Sequence, residues 1–193
     1  MIITFIVTAA VVALDQISKY YIKNNMNVGE SFNFIKNILN IYYIENPGAS
    51  FGIFAEQNQR WIFMTFSTAA LIFMAGAIFY VNKKSLKQYN KLPNIALAFM
   101  LGGGIGNMID RFFNVSEQPR FEGRKVVVDF LEFDFVDFAI FNIADAFITV
   151  GSVLFCISVF LGKYKFHDKL EKSKEFLEIE DIIEEFLEDS GEN

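Results

Sequence analysis

Four long stretches of apolar residues, separated by polar segments, dominate the chain. They cover residues 1–22, 61–81, 94–113 and 139–161 of the 193-residue sequence. An α-helix needs about 20 mainly apolar residues to cross the hydrocarbon core of a bilayer. The pattern therefore predicts a mainly α-helical, polytopic membrane protein with four transmembrane helices.

Between the first two apolar stretches the pattern changes to one that is typical of β-strands. Phe32 and Phe34, and then Ile41 and Tyr43, recur at every second position, which is the period of a strand. The Asn-Pro-Gly run at 46–48 is typical of a turn. We expect a small, outward-facing β-sheet here, between helices 1 and 2. The second long polar segment, 114–138, is expected to be a loop.

The lysines predict how the chain is oriented in the membrane. The segment 82–91 contains four lysines and no acidic residue, and Lys163 and Lys165 follow the last apolar stretch. Cytoplasmic segments of membrane proteins are enriched in Lys and Arg. We therefore expect both termini in the cytoplasm and the segments 24–60 and 114–138 outside.

The negative charge of the chain is concentrated in its C-terminal tail. The net charge is -6, but residues from Phe166 onward contain eleven acidic residues and three lysines, and the rest has a net charge of +2. We divide the chain into a membrane domain, 1–165, and an acidic cytoplasmic tail, 166–193. The chain has one His and one Cys, so a metal site built from these residue types is not expected. We expect no cofactor either. No basic patch with interleaved aromatic residues indicates nucleic acid.

Three aspartates lie within or beside the apolar stretches, where ionisable groups are costly and usually functional, and a fourth lies in the polar segment between two of them. In the predicted topology Asp15 is late in helix 1, Asp110 is late in helix 3 and Asp145 is early in helix 4. Asp129 lies in the outer loop. All four carboxylates are therefore expected at one depth, near the outer leaflet. The alternative for Asp15 is that the first helix ends at Leu14 and leaves this carboxylate at the interface.

Spacing predicts partners for some of these groups. Asp15 and Lys19 are four residues apart, so they share a helix face and can form an ion pair. Arg111 needs a carboxylate in a low-dielectric environment, and Asp110 or Asp15 can supply it. Asp129 and Asp145 are left without an obvious counter-ion. Two carboxylates held close together share a proton, so one can activate water while the other protonates a leaving amine.

Two asparagines follow the same spacing. Asn107 lies three residues before Asp110, and Asn142 lies three residues before Asp145, so each amide is expected on the same face as its carboxylate. Such amides can orient a substrate or stabilise an oxyanion. The glycines in 102–106 are expected to let another helix approach closely.

Five blocks of the sequence, in their order, resemble the lipoprotein signal peptidase (signal peptidase II) family over residues 1 to about 162. The resemblance implies a four-helix aspartic endopeptidase of the bacterial cytoplasmic (inner) membrane, without a metal. Such an enzyme removes signal peptides from prolipoproteins, cutting N-terminal to the cysteine that carries a diacylglyceryl group. The blocks are Asp15 with Lys19, Asn46-Pro47-Gly48-Ala49-Ser50-Phe51-Gly52, Gly106-Asn107-Met108-Ile109-Asp110-Arg111, Val127-Val128-Asp129-Phe130 and Phe141-Asn142-Ile143-Ala144-Asp145.

The resemblance also implies roles for single residues. Asp129 and Asp145 would be the catalytic dyad, and the outer sheet would be a cradle lying on the membrane. The partners would be diacylglyceryl-prolipoproteins and membrane lipids, and we expect a monomer. Residues that match substrate-binding positions, or that we expect to support the site, are Asp15, Lys19, Asn46, Gly48, Asn107, Asp110, Arg111 and Asn142.

Two alternatives stay open at this point. The segment after Asp129 contains the further acids Glu132, Asp134 and Asp137, any of which is a rival partner for Asp145. The Val-Val-Asp-Phe block favours Asp129. A small proton-coupled transporter or channel is the alternative function, because intramembrane carboxylates also mark ion pathways. Transporter sites usually lie near the midplane on repeated, broken helices, and we see no internal repeat.

Overall fold

The structure, a computed structural model, describes residues 2–48, 57–83, 92–116 and 118–161. Within this part the elements alternate between long helices and short strands. Contacts between residues divide the chain into two units, Met1–Phe155 and Cys156–Asn193. Of the second unit, the structure describes only residues 156–161, which are helical. The elements are α1 (Ile2–Asn25), β1 (Ser31–Ile35), β2 (Leu39–Asn46), α2 (Gln57–Lys83), α3 (Leu92–Phe113), β3 (Val127–Phe133) and α4 (Ile143–Leu161).

Among the described residues, three helices are long and apolar enough to cross a membrane, namely α1, α3 and α4. The described apolar part of α2 is shorter, Ser67–Phe79. Large apolar side chains such as Phe5 and Phe73 point outward, as lipid-facing positions require. The prediction of a mainly helical protein with apolar spans is confirmed, and α2 as a fourth span stays a prediction.

The first helix continues well past the polar residues that interrupt its apolar pattern. α1 runs to Asn25, so the alternative in which it ends at Leu14 is wrong. The reason is that Asp15 and Lys19 are fully buried against neighbouring helices, where their charges have partners. Polar groups that are satisfied inside a bundle do not end a membrane helix.

A three-stranded antiparallel sheet has the order β1-β2-β3. Strands β1 and β2 lie between α1 and α2, as the alternating pattern predicts. The expectation that 114–138 is only a loop is wrong, because this segment supplies β3. The two acids in Val127–Phe133 interrupt the apolar pattern of this strand, although Val, Phe and Leu at this density favour a strand.

The small core under the sheet fixes the side of β3 that faces the helices. Ile41, Tyr43, Val128 and Phe130 are buried together with Ile22 of α1. By contrast, every residue of β1 is exposed, including Phe32 and Phe34. The β2–β3 pairing places Asp129 opposite Ile44, beside an irregularity in the register. The strand therefore carries Asp129 to the end of the helical bundle.

Consecutive glycines in α3 allow three other helices to approach it closely. A Cβ added to Gly102 would lie 2.7 Å from Cβ of Val11 in α1. At Gly103 it would lie 2.4 Å from the carbonyl oxygen of Ala144 in α4, and at Gly104 it would lie 2.5 Å from a methyl of Leu71 in α2. The predicted packing role of these glycines is confirmed.

Candidate active site

A buried ion cluster joins α1 to α3. Lys19 Nζ lies 2.8 Å from Asp15 Oδ2 and 3.2 Å from Asp110 Oδ2. All three side chains are buried, so each charge depends on the others for compensation. The pair expected between Asp15 and Lys19 is present. Asp110 also accepts a hydrogen bond from the backbone N–H of Val128 (3.1 Å), which ties the cluster to β3.

Arg111 reaches in another direction, towards the turn that follows β2. Its guanidinium donates to the carbonyl oxygen of Gly48 at 3.0 Å, and the N–H of Gly48 donates to the side-chain oxygen of Asn46 at 3.0 Å. Asp15 and Asp110, the carboxylates suggested for Arg111, both pair with Lys19. Arg111 thus links α3 to the Asn-Pro-Gly turn.

The N-terminus of α4 is closed by a reciprocal pair of hydrogen bonds between Asn142 and Asp145. The backbone N–H of Asp145 donates to Asn142 Oδ1 at 3.0 Å, and the N–H of Asn142 donates to Asp145 Oδ2 at 3.2 Å. This is the geometry of a capping box, in which the residue before the helix and the third helical residue satisfy each other. The spacing therefore marks a helix start rather than one face of a helix. Asp15 Oδ1 also accepts from the N–H of Ala144 in the same turn (3.0 Å).

Asn142 also connects Asp129 and Asp145, two carboxylates that form no ion pair with a cation in the described part of the chain. Its amide nitrogen lies 2.7 Å from Asp129 Oδ1 and 2.9 Å from the side-chain oxygen of Asn107. The amide nitrogen of Asn107 in turn donates to Asp145 Oδ1 at 2.7 Å. Asn142 is fully buried. Asp129 and Asp145 therefore belong to one network of amide donors.

The environment of Asp129 favours its protonated form. Burial, and after it the negative charge of Asp145, raises the pKa of the Asp129 carboxyl from 3.8 to about 7. Hydrogen bonds from Asn46 (2.9 Å to Oδ2) and Asn142, and the charge of Lys19, oppose this effect without cancelling it. Asp129 can thus hold or release a proton near neutral pH.

The other acids of the segment lie outside this network. Glu132 and Asp134 both accept hydrogen bonds from the amide of Asn40 on β2, at 3.1 and 3.2 Å. Asp137 is exposed. Of the rival loop acids, the structure brings Asp129 to the amide network that holds Asp145.

Sequence reasoning missed one residue that contacts the ion cluster but neither Asp129 nor Asp145. The amide nitrogen of Gln16 lies 3.1 Å from both Asp15 Oδ2 and the carbonyl oxygen of Gly106, and 3.4 Å from Asp110 Oδ1. Its signal was only its place beside Asp15 in an apolar helix. In the described part of the chain, no group of three or more His, Cys, Asp or Glu side chains is arranged to hold a metal ion.

Apolar helices around a carboxylate pair, of which Asp129 is buried and Asp145 half-buried, define a multi-pass membrane protein with a polar site between its helices. The chain belongs to the signal peptidase II family, because the family described as "Signal peptidase (SPase) II" matches residues 7–161.

Individual relatives agree with this family. A lipoprotein signal peptidase of Brevibacillus brevis is 36% identical over 161 residues, which cover 83% of this chain and 97% of the relative. One of Geobacillus thermodenitrificans is 39% identical over 161 residues, covering 82% and 90%. A bacterial membrane enzyme solved by the in meso method at 2.3 Å resolution superposes with a TM-score of 0.66 at 33% identity, covering 83% of this chain and 88% of that chain.

Proposed function

We propose that the protein is an aspartic endopeptidase that removes signal peptides from diacylglyceryl-modified prolipoproteins, cutting N-terminal to the lipid-modified cysteine. One observation carries this proposal. Asp129 and Asp145 are tied to a single amide network, and burial together with the charge of Asp145 raises the pKa of Asp129 to about 7. An aspartic peptidase uses two carboxyl groups that share one proton as its catalytic groups.

The chemistry then divides between the two carboxyl groups. One carboxylate accepts a proton from water as the water attacks the scissile carbonyl carbon, and the protonated partner donates to the carbonyl oxygen or to the leaving amine. The pair must be held firmly while the proton moves. The amides of Asn142, Asn107 and Asn46 do this, since each donates to at least one of the two carboxylates.

The substrate would enter between the turn at 46–48 and the carboxylate pair. Arg111 holds the carbonyl of Gly48, and Asn46 bonds both to that turn and to Asp129. Movement of the turn would therefore change the hydrogen bond that Asn46 donates to Asp129. This makes Asn46, Gly48 and Arg111 candidates for contact with substrate, and Asp15, Lys19 and Asp110 candidates for support.

The topology that fits this function has four spans, with α2 as the second, and both termini in the cytoplasm. The sheet would then face outward, and the site would lie near the outer leaflet of the bacterial cytoplasmic membrane. The membrane domain would comprise residues 1–165 and act as a monomer among lipids, with 166–193 as a cytoplasmic tail. The family match does not support the alternative of a proton-coupled transporter or channel.

The experiment that tests this proposal compares two precursors with the purified protein in bicelles. One precursor peptide carries a diacylglyceryl group on its cysteine and the other has the same sequence without lipid. We expect the lipid-modified peptide to be cut just before the cysteine, and the other poorly, because acyl chains lying against the helices supply much of the binding free energy. Equal cleavage rates would contradict the lipid specificity, and cleavage of neither would contradict the proposal itself.

A further inference from the structure

We propose that Lys19 is a positioning residue for the carboxylate pair, because it fixes the direction in which the amide of Asn107 donates to Asp145. This inference rests on the proposed function of Asp129 and Asp145. Lys19 touches neither of these carboxylates through a hydrogen bond. It acts on them through Asn107, whose side-chain oxygen lies 2.9 Å from Lys19 Nζ.

The argument begins with the number of donors that Lys19 has. A lysine ammonium has three N–H donors and no acceptor. Lys19 Nζ has three acceptors around it: Asp15 Oδ2 at 2.8 Å, Asn107 Oδ1 at 2.9 Å and Asp110 Oδ2 at 3.2 Å. The ammonium is therefore saturated. The atom that Asn107 turns towards it must be the oxygen, since an amide nitrogen there would oppose donor to donor.

Once the oxygen of Asn107 faces Lys19, the rest of the network has only one direction. The nitrogen of Asn107 faces Asp145 Oδ1 and donates to it at 2.7 Å. The oxygen of Asn107 accepts a second hydrogen bond, from the amide nitrogen of Asn142, which also faces Asp129 Oδ1 at 2.7 Å and the carbonyl oxygen of Val128 at 3.3 Å. The remaining oxygen of Asn142 accepts from the N–H of Asp145, so the start of α4 also fixes the direction of Asn142. Lys19 thus directs the amide N–H of Asn107 at Asp145, and the start of α4 directs that of Asn142 at Asp129.

Removal of the ammonium would take away one of the two donors that hold the oxygen of Asn107, the other being the amide nitrogen of Asn142. An asparagine amide can rotate by half a turn with little change in shape, so its direction depends on its neighbours. Without Lys19, the nitrogen of Asn107 would be attracted to Asp15 and Asp110, and its oxygen would then face Asp145. An ionised Asp145 would lose a donor and meet a second acceptor, which would disturb the proton that the pair shares.

The test replaces Lys19 in a background that keeps the charge of the cluster constant. Lys19→Met alone would leave Asp15 and Asp110 together without a cation and endanger folding. Lys19→Met combined with Asp110→Asn has the same net charge as the wild-type cluster. Compared with the wild type, which has the same cluster charge, and with Asp110→Asn alone, which lacks one negative charge, we expect kcat on the diacylglyceryl peptide to fall about 10²-fold. We expect little change in KM, and this is the size of effect that misplaced catalytic groups produce.

A double-mutant comparison decides whether Lys19 acts through Asn107. In the Asp110→Asn background, Asn107→Leu already cuts the connection, so adding Lys19→Met to it should cost no more than about threefold. The control is Gln16→Leu, because Gln16 bonds Asp15 and Asp110 in the same cluster and has no hydrogen bond to Asn107. This change should cost less than about tenfold. If Lys19→Met costs the same factor with and without Asn107, the inference is wrong.

A spectroscopic measurement separates this inference from the proposed function. Difference infrared spectra against Asp129→Asn and Asp145→Asn identify the carboxyl bands of the pair without any turnover. Lys19→Met in the Asp110→Asn background should shift those bands relative to that background, whereas Gln16→Leu should not shift them relative to wild type. If the bands shift but the protein cuts neither peptide, the positioning role of Lys19 is supported and the proposed function is wrong. If the bands do not shift and the lipid-modified peptide is cut normally, the proposed function is supported and the positioning role is wrong.

Discussion

The protein contains two groups of carboxylates with very different surroundings, and Asp129 of one group is only three residues from Glu132 of the other. The inner group, between α1, α3, β3 and α4, consists of Asp15, Asp110, Asp129 and Asp145. The outer group, at the end of β3 and just after it, consists of Glu132, Asp134 and Asp137. In the inner group Asp129 is 3% exposed and its oxygens are held by two asparagine amides. In the outer group Asp134 is exposed and shares one amide with Glu132.

The comparison shows that residue type alone does not give a carboxylate its chemistry. Desolvation makes the charged form of a buried acid unfavourable, while water around an exposed acid stabilises that form. Directed amide donors then hold both oxygens of the buried acid in place. Asp129 is both buried and held by directed donors, so it can exchange a proton near neutral pH. Of the outer acids, Glu132 and Asp134 accept hydrogen bonds from Asn40 at the sheet.

The largest expected effect would come from removing the inner pair. Asp129→Asn and Asp145→Asn each keep the size of the side chain but remove the group that accepts or donates the shared proton. We expect each to lower kcat on the lipid-modified peptide by about 10⁴-fold or more, measured with purified protein in bicelles. Since the two carboxyls act as one unit, the double variant should be hardly worse than either single variant.

The outer group provides the controls. Asp134→Asn and Asp137→Asn make the same chemical change a few residues away, and we expect near wild-type cleavage. If Asp129→Asn still cleaves while one of these is inactive, the partner of Asp145 has been assigned to the wrong residue. If all four variants cleave, the protein is not an aspartic peptidase.

The chain pattern predicted the parts of this picture that depend on local spacing. The lengths of the apolar stretches predicted the membrane-spanning helices α1, α3 and α4. The alternation of apolar and polar residues predicted the strands β1 and β2. The i, i+4 spacing of Asp15 and Lys19 gave their ion pair. These features depend on helix and strand geometry within one segment, which a sequence shows directly.

Features that depend on contacts between distant segments were missed or left open. β3 is a strand because β2 pairs with it, while its own acids weaken the apolar signal. The second role of Lys19, as partner of Asp110 and Asn107, depends on how α1 packs against α3. The function of Asn142 as a helix cap had a local signal, Asn followed three residues later by an acid, which the helix-face interpretation overlooked.

The second prediction concerns the pH dependence of stability. The folded pKa of Asp129 is about 7 and its ordinary value is 3.8, so the folded protein holds this proton after the unfolded chain has released it. The contribution of Asp129 to stability is therefore lost as the pH rises from about 4 to about 7, by up to ~4 kcal/mol. Asp129→Asn does not titrate, so it should match the wild type near pH 4 and exceed its stability above pH 7.

Thermal unfolding in bicelles between pH 4 and 8 measures this difference. Asp134→Asn, which changes an exposed member of the outer group, should change stability by no more than about 0.5 kcal/mol at any pH. Asp145→Asn should move the wild-type transition to lower pH, because the charge of Asp145 is the second cause of the raised pKa of Asp129. Parallel curves for wild type and Asp129→Asn would contradict the assigned environment.

The smallest expected effect tests how tightly the inner group is packed. A Cβ at Gly106 would lie 2.5 Å from Asp15 Oδ2, and this carboxylate cannot move aside freely, since it bonds both Lys19 and the N–H of Ala144. Gly106→Ala should therefore destabilise the protein by about 1–3 kcal/mol and lower kcat, as overpacking does. Gly76→Ala in α2 is the matched control, because no described residue lies within 4 Å of its added Cβ and alanine favours a helix. Equal stability and cleavage for the two variants, measured in the same bicelles, would mean that the carboxylate of Asp15 has room to move and that the inner group is not rigidly held.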